Sequence, residues 1–321
     1  MAQLIKLYDY ISRYEVDPYR YPGQFIRLKK QQWEKVLNAW EGKTLHSVMK
    51  ETAEPERNFE MNRKQTIINK LKNKFSKNKD NIESITIPLL IEERAMSEED
   101  LSVEFTTEPK NLEELKSLFL DDIFRFQIRW ASSTLLEKSI VEKSVYHDPI
   151  IRYFLQSIPD HFLLLYKPVL ILQKAPVELD IILISPTEIY CITLLERLSD
   201  VTYIGSKENF WIEKGIDFEN KILNPLLSLN RTGTVVQKLM KSAGVELPIK
   251  KVIISRNSYI DYPFPPYDVV LLDKRTYNNW FQQIRGSSSP LKHVQLKATQ
   301  SLLTYGLSSS FKRQEWVKDV E

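Results

Sequence analysis

Two almost wholly apolar runs, residues 179–185 (LDIILIS) and 189–194 (IYCITL), flank a break at Pro186 and Thr187. Each has strand length and is rich in β-branched residues, and the connection is too short for a crossover. Together they predict two adjacent antiparallel strands. Neither run alternates apolar with polar residues. A sheet made of such strands is covered on both faces, which requires helices on either side of it.

The flanking sequence supplies helices and further strands. Residues 148–158 carry Ile150, Ile151, Phe154, Leu155 and Ile158 on one helical face, with Pro159 and Asp160 as the stop. Residues 161–172 read as a strand bent at Pro168, and Glu178-Leu179-Asp180 opens the next one.

The N-terminal half is expected to be helical. In residues 3–53, Leu4, Leu7, Tyr8 and Ile11 recur at helical spacing, Tyr21-Pro22-Gly23 interrupts, and Trp33, Val36, Leu37 and Trp40 share a second face that stops at Gly42. Residues 63–79 hold seven Lys or Arg and no acid, with Ile67, Leu71 and Phe75 four apart on one helix face. Residues 85–91 (ITIPLLI) read as an edge strand because of Pro88, and the acidic residues 97–100 as a helix start. A long helical pattern spans 111–143, with Asn111 and Glu114 placed for a capping box. These patterns divide the chain into a helical region (1–57), a basic helix or linker (58–84), a helical connection (85–143), an α/β unit (144–285) and a tail (286–321) with a Ser-rich linker and a helix from Leu291.

Composition removes several function classes. The chain has 45 basic and 42 acidic side chains, so any basic surface has to be local. A single cysteine, Cys191, excludes an internal disulfide and a Cys-rich zinc site and suits a cytoplasmic setting. Eight glycines without a glycine-loop motif argue against a phosphate loop, and the four histidines are scattered. The longest apolar stretch, 162–172, contains Lys167 and Pro168 and is too short for a bilayer. No membrane partner is expected, and the oligomeric state is not legible.

Asp180 is the position that points to chemistry. A carboxylate at the start of a buried strand is costly unless it is paired or binds a metal. Mg²⁺ prefers such oxygen ligands. In metal-dependent nucleases a second carboxylate on the next strand completes the site, and a lysine two residues later, on the same strand face, stabilises phosphate charge.

In this order the motifs resemble the nuclease-related (NERD) branch of the PD-(D/E)xK nucleases. The likeness rests on Ile158-Pro159, Glu178-Leu179-Asp180, the turn at 185–188, the strand 189–192, Asn224-Pro225, which resembles the family's element heading a helix, and residues 251–255 (KVIIS) and 267–272 (YDVVLL), which resemble its two late strands. It implies an α+β chain: a helical N-terminal half followed by a restriction-endonuclease-like α/β/α domain with a central mixed sheet. It also implies Asp180 as a metal ligand. Where the family carries Glu-x-Lys, this chain has Thr193-Leu194-Leu195, and Glu196 is one residue out of phase. An active member would hold Mg²⁺ or Mn²⁺. Here that would require a site assembled from Asp148, Glu178 and Asp180 as catalytic residues. The missing pair leads instead to no cofactor and no catalysis.

Three functions follow. The first is a non-catalytic nuclease-like protein binding DNA, RNA or a DNA-processing protein, with Arg63, Lys64, Lys70, Lys72, Lys74, Lys77 and Lys79 as phosphate contacts. The second is an active metal-dependent nuclease with migrated ligands. The third is an adaptor that binds protein through Trp33, Trp40 and the tyrosines between Tyr8 and Tyr21.

Overall fold

The computed structural model describes residues 1–42, 109–196 and 199–312. The basic run 63–79 with its seven cations, the segment 85–91 and the helix start at 97–100 lie outside these residues. In chain order the elements are β1 (Gln3–Leu7), α1 (Arg13–Val16), α2 (Tyr21–Glu41), α3 (Leu112–Trp130), β2 (Glu137–Lys138), a 3₁₀ turn (Lys143–His147), α4 (Pro149–Ser157), β3 (Leu163–Tyr166), β4 (Val169–Leu172), β5 (Ala175–Glu178), β6 (Ile181–Ile184) and β7 (Ile189–Leu194). Then come β8 (Thr202–Ile204), β9 (Phe210–Lys214), β10 (Glu219–Leu223), α5 (Pro225–Ser242), β11 (Ile249–Ile254), β12 (Tyr259–Asp261), β13 (Val269–Leu272), α6 (Tyr277–Arg285), α7 (His293–Thr304) and β14 (Phe311–Lys312). Among the described residues no helix is long and apolar enough to cross a membrane.

The chain forms two units, one of residues 1–26 with 124–321 and one of residues 27–123. The first contains a mixed six-stranded sheet in the order β1-β3-β6-β7-β11-β13. As the apolar runs predict, β6 and β7 are antiparallel neighbours, from Ile181 opposite Ile192 to Ile184 opposite Ile189. The pairs β1–β3, β7–β11 and β11–β13 are parallel, and β6 opposes both of its neighbours. On one face α4 and α6 bury Ile151, Phe154, Leu155, Tyr277 and Ile284 against Ile192, Val252 and Ile254. α5 and α7 cover the other face, and Gln295 of α7 donates to the backbone oxygens of His161 (2.6 Å) and Ile184 (2.9 Å). A four-stranded sheet, β10-β9-β8-β12, stands beside this sandwich around the fully buried Trp211.

The helical reading of residues 3–11 is corrected: residues 3–7 are the edge strand β1. All five are buried, so the strand lacks the alternation that would have revealed it, and Leu4, Leu7 and Ile11 fall at helical spacing by coincidence. Its outer edge is closed by side chains. The Leu4 N–H donates to Gln127 Oε1 (2.7 Å) and Ser12 Oγ donates to the Ile5 oxygen (2.6 Å). Lys6, also fully buried, is ion-paired with Glu15 and donates to Ser308 Oγ (2.9 Å) and the Tyr10 oxygen (2.7 Å).

Three further boundaries differ from the sequence reading. Tyr21-Pro22-Gly23 begins α2 rather than separating two helices. The expected helix over 111–143 ends at Trp130, because Ser132 Oγ and Ser133 Oγ donate back to the oxygens of Ile128 (2.8 Å) and Arg129 (2.7 Å) and saturate the last turn. The strand expected over 161–172 is split into β3 and β4 at Lys167, whose φ is 45°. Residues 305–312 run back along the sandwich as a strap. Ser309 N donates to the Asp9 oxygen (2.7 Å), Leu307 N to the Val169 oxygen (2.8 Å), and β14 pairs with β2.

In the second unit, Asn111 caps α3 by accepting the Glu114 N–H (2.8 Å), and Glu114 Oε2 accepts from the N–H of Lys110 (2.7 Å) rather than from the cap itself. Trp33 packs on Phe119, ring centroids 5.1 Å apart.

Candidate functional site

β1, β3, β7, β11 and β13 run in one direction, so their C-terminal ends share one edge of the sheet with the start of β6. In open α/β sheets ligands gather at such an edge. Asp180 stands there, one residue before β6, opposite Thr193 in the continued β6–β7 register. Thr193 Oγ1 donates to Asp180 Oδ2 across 2.6 Å, and the Asp180 N–H donates to Thr232 Oγ1 of α5 (2.9 Å). Cys191, two residues before Thr193, is on the same face. Burial, with the charge of Asp180 added, pushes its thiol to about 12. That thiol stays protonated and is no nucleophile.

Lys251 of β11 sits opposite Cys191 in the parallel register. Its stem crosses Gly233 of α5, where a Cβ would lie 2.9 Å from the lysine Cδ. Its Nζ donates to Asn230 Oδ1 (2.8 Å) and is ion-paired with Asp268, whose carboxyl this contact holds below the ordinary range. The lysine of this face is therefore engaged away from Asp180.

The other residues singled out from the sequence are placed apart from Asp180. Asp148 is the N-cap of α4: Oδ1 accepts the N–H groups of Ile150 (2.7 Å) and Ile151 (3.2 Å), and Oδ2 accepts the Tyr166 hydroxyl (3.1 Å). It belongs to the α4–α6 side of the sheet, opposite the face that carries Asp180. Glu178 does not share a strand with Asp180, because it ends β5, is paired with Val169 and is exposed. Tyr8, at a left-handed φ of 49°, lies near both Asp148 and Glu178; burial and these charges raise its hydroxyl to about 12. Leu195 is buried and its N–H donates to the Ile254 oxygen (2.8 Å).

Glu196 faces the side opposite Thr193, as its phase requires. It forms a two-pronged ion pair with Arg256, whose guanidinium lies 4.1 Å from the ring centre of Tyr153. Thr232, Arg256 and Tyr153 carry no sequence signal of their own; only the fold brings them to this edge. Of the tyrosines and tryptophans expected as a docking face, Tyr8, Tyr10, Trp33 and Trp40 are half-buried and Tyr19 is exposed. Tyr14 and Tyr21 are buried beside Trp130.

A divalent cation of the nuclease kind needs at least two carboxylates on one face. Asp180 has a threonine and a buried leucine where the second carboxylate and the lysine would stand. Among the described residues no group of three or more His, Cys, Asp or Glu is placed to hold a metal ion. This donor set does not fit the cation that the resemblance implies.

Residues 144–255 match the family model for the nuclease-related domain, NERD. The C-terminal half carries that domain. It spans α4, the β6–β7 hairpin, the satellite strands up to β10, α5 and β11, and includes Asp180, Thr193 and Thr232. An RNA 2',3'-cyclic phosphodiesterase of Geobacillus stearothermophilus is 61% identical over 41 residues, 13% of this chain and 13% of that protein. The chain thus matches only a small part of that relative's length. No solved structure matches.

Proposed function

We propose that this protein, nuclease-like over residues 144–255, binds nucleic acid or a DNA-processing partner and does not cleave nucleic acid. The observation that carries this reading is the Thr193–Asp180 hydrogen bond. A hydroxyl donates to Oδ2 of the carboxylate that the resemblance assigns to the metal, and it does so from the position where the family places its second ligand. Threonine offers no negative charge to a cation, and Leu195 offers none of the phosphate stabilisation a lysine would give. The reading needs no cofactor, and the lone buried Cys191 suits a reducing cytoplasm.

DNA, RNA and a DNA-processing protein are the partners to be separated, with phosphate contacts proposed from the run Arg63 to Lys79. The test is a gel shift over a salt series together with incubation of duplex DNA and single-stranded RNA in Mg²⁺ or Mn²⁺. Salt-sensitive binding without cutting is expected. Cutting by purified protein that Asp180→Ala abolishes would establish an active nuclease with migrated ligands. Absence of any binding would favour the adaptor reading through Trp33 and Trp40.

A further inference from the structure

Acidic and basic residues nearly balance over the chain, 42 against 45, yet they are unevenly placed. Residues 220–245, which include α5, contain Lys221, Arg231, Lys238 and Lys241 and no Asp or Glu. Residues 274–314, which include α7, contain seven Lys or Arg and again no acid. The fold sets α5 and α7 side by side on one face of the sheet. Ser301 Oγ donates to the Leu239 oxygen (3.3 Å), and Lys297 Nζ to the Gly244 oxygen just past α5 (3.3 Å).

The exposed residues of α5 are Leu227, Asn230, Arg231, Thr234, Gln237, Lys238, Lys241 and Ser242; of these, Leu227, Arg231, Thr234, Lys238 and Lys241 follow at spacings of four and three and form one stripe of the helix. Arg231 to Lys241 covers about 15 Å of helix axis. No carboxylate among the described residues pairs with Arg231, Lys238 or Lys241. The nearest acid in sequence, Glu246, lies in the turn beyond the helix and is exposed. Leaving three neighbouring cations uncompensated raises their mutual repulsion, and a polyanion relieves it.

We infer that the outer face of α5, with Lys297 of α7 beside its C-terminal end, is a phosphate-backbone contact surface for nucleic acid. This rests on the nucleic-acid reading above and names the surface that serves it within the described residues. Phosphates of one strand follow each other by about 3.4 Å of duplex axis, so the stripe can meet three of them. A bilayer would instead ask for large apolar side chains beside the lysines; on this stripe only Leu227, at its N-terminal end, is apolar.

The experiment is fluorescence anisotropy with a short mixed-sequence DNA duplex over a salt series, using the full chain. It compares the parent, the triple variant Arg231→Gln, Lys238→Gln, Lys241→Gln, and a reference variant with glutamine at Lys70, Lys72, Lys74 and Lys77. The triple variant should bind roughly tenfold or more weakly at low salt, and its slope of log K against log[salt] should flatten by about 2.7, at ~0.9 per lost contact. Circular dichroism should be unchanged, since all three positions are exposed. If the parent binds and the triple variant binds equally well, this surface is wrong while the nucleic-acid reading stands. If the parent binds neither the duplex nor single-stranded RNA, both fall. Loss of binding to phosphatidylserine vesicles in place of nucleic acid would also overturn the inference.

Discussion

Asp180 and Thr193 are cross-strand partners at the mouth of the β6–β7 hairpin, joined by a hydroxyl-to-carboxylate bond of 2.6 Å. A position that the resemblance assigns to metal binding is here satisfied within the protein, and its worth can be measured as stability.

Thr193→Val keeps the shape and β propensity of the side chain and removes the donor. Asp180 is half-buried, so the loss should be about 1.5–2 kcal/mol, the lower part of the range for a hydrogen bond to a charged group. Urea unfolding with an unchanged m-value reads it. A shift below about 0.5 kcal/mol would mean that water replaces the hydroxyl without penalty.

Lys6 is fully buried and Glu15 is partly exposed, its side chain 20% accessible. Burial lowers the lysine pKa and the charge of Glu15 opposes that shift. Glu15→Gln strands a buried ammonium and should cost about 3 kcal/mol or more, whereas Lys6→Met leaves a carboxylate that water and Ser308 still reach. Thermal melts should therefore rank Lys6→Met above Glu15→Gln. The opposite order would refute the account.

His161 is buried, with Nε2 3.1 Å from Ser287 Oγ. Burial lowers its pKa below the ordinary 6.5, against the charge of Asp160. The unfolded chain thus takes up the proton first. The stabilisation is complete above the unfolded value and is lost as pH falls through the folded one. Between about pH 7 and pH 5, the parent should lose more melting temperature than His161→Gln does. Parallel curves for the two proteins would remove His161 from the acid response.

The hairpin was legible because both of its strands are short, apolar and separated by a proline turn, and β7 matches its expected bounds of Ile189–Leu194. The cap at Asn111 was legible from residue type and spacing and the helix start at Asn224 from the resemblance, whereas Asp148, read as a candidate site carboxylate, is the N-cap of α4. β1 was not, because a strand buried on both faces has no period that separates it from a helix of the same length. The surroundings of Asp180 were half legible. Thr193 could be read off as the residue in place of a carboxylate, but its bond to Asp180, the contact with Thr232 and the turning of Lys251 toward Asp268 depend on which helix covers that face. Sequence spacing within a strand does not carry that information.

The placement of β1 bears on how the chain reaches this state. Gln3 Nε2 donates to the oxygen of Asp160, 157 residues further on, and β1 lies parallel to β3. Closing a loop of that length costs roughly 4.5 kcal/mol before any contact is gained. The β3–β6–β7 meander closes through short connections, so it can assemble first. β1 is then expected to dock late, and until it does the outer edge of β3, with Leu163, Leu164 and Leu165, presents unpaired backbone to other chains. Aggregation during refolding should accordingly nucleate at β3, and slowing the arrival of β1, for instance with Leu4→Ala, should increase it.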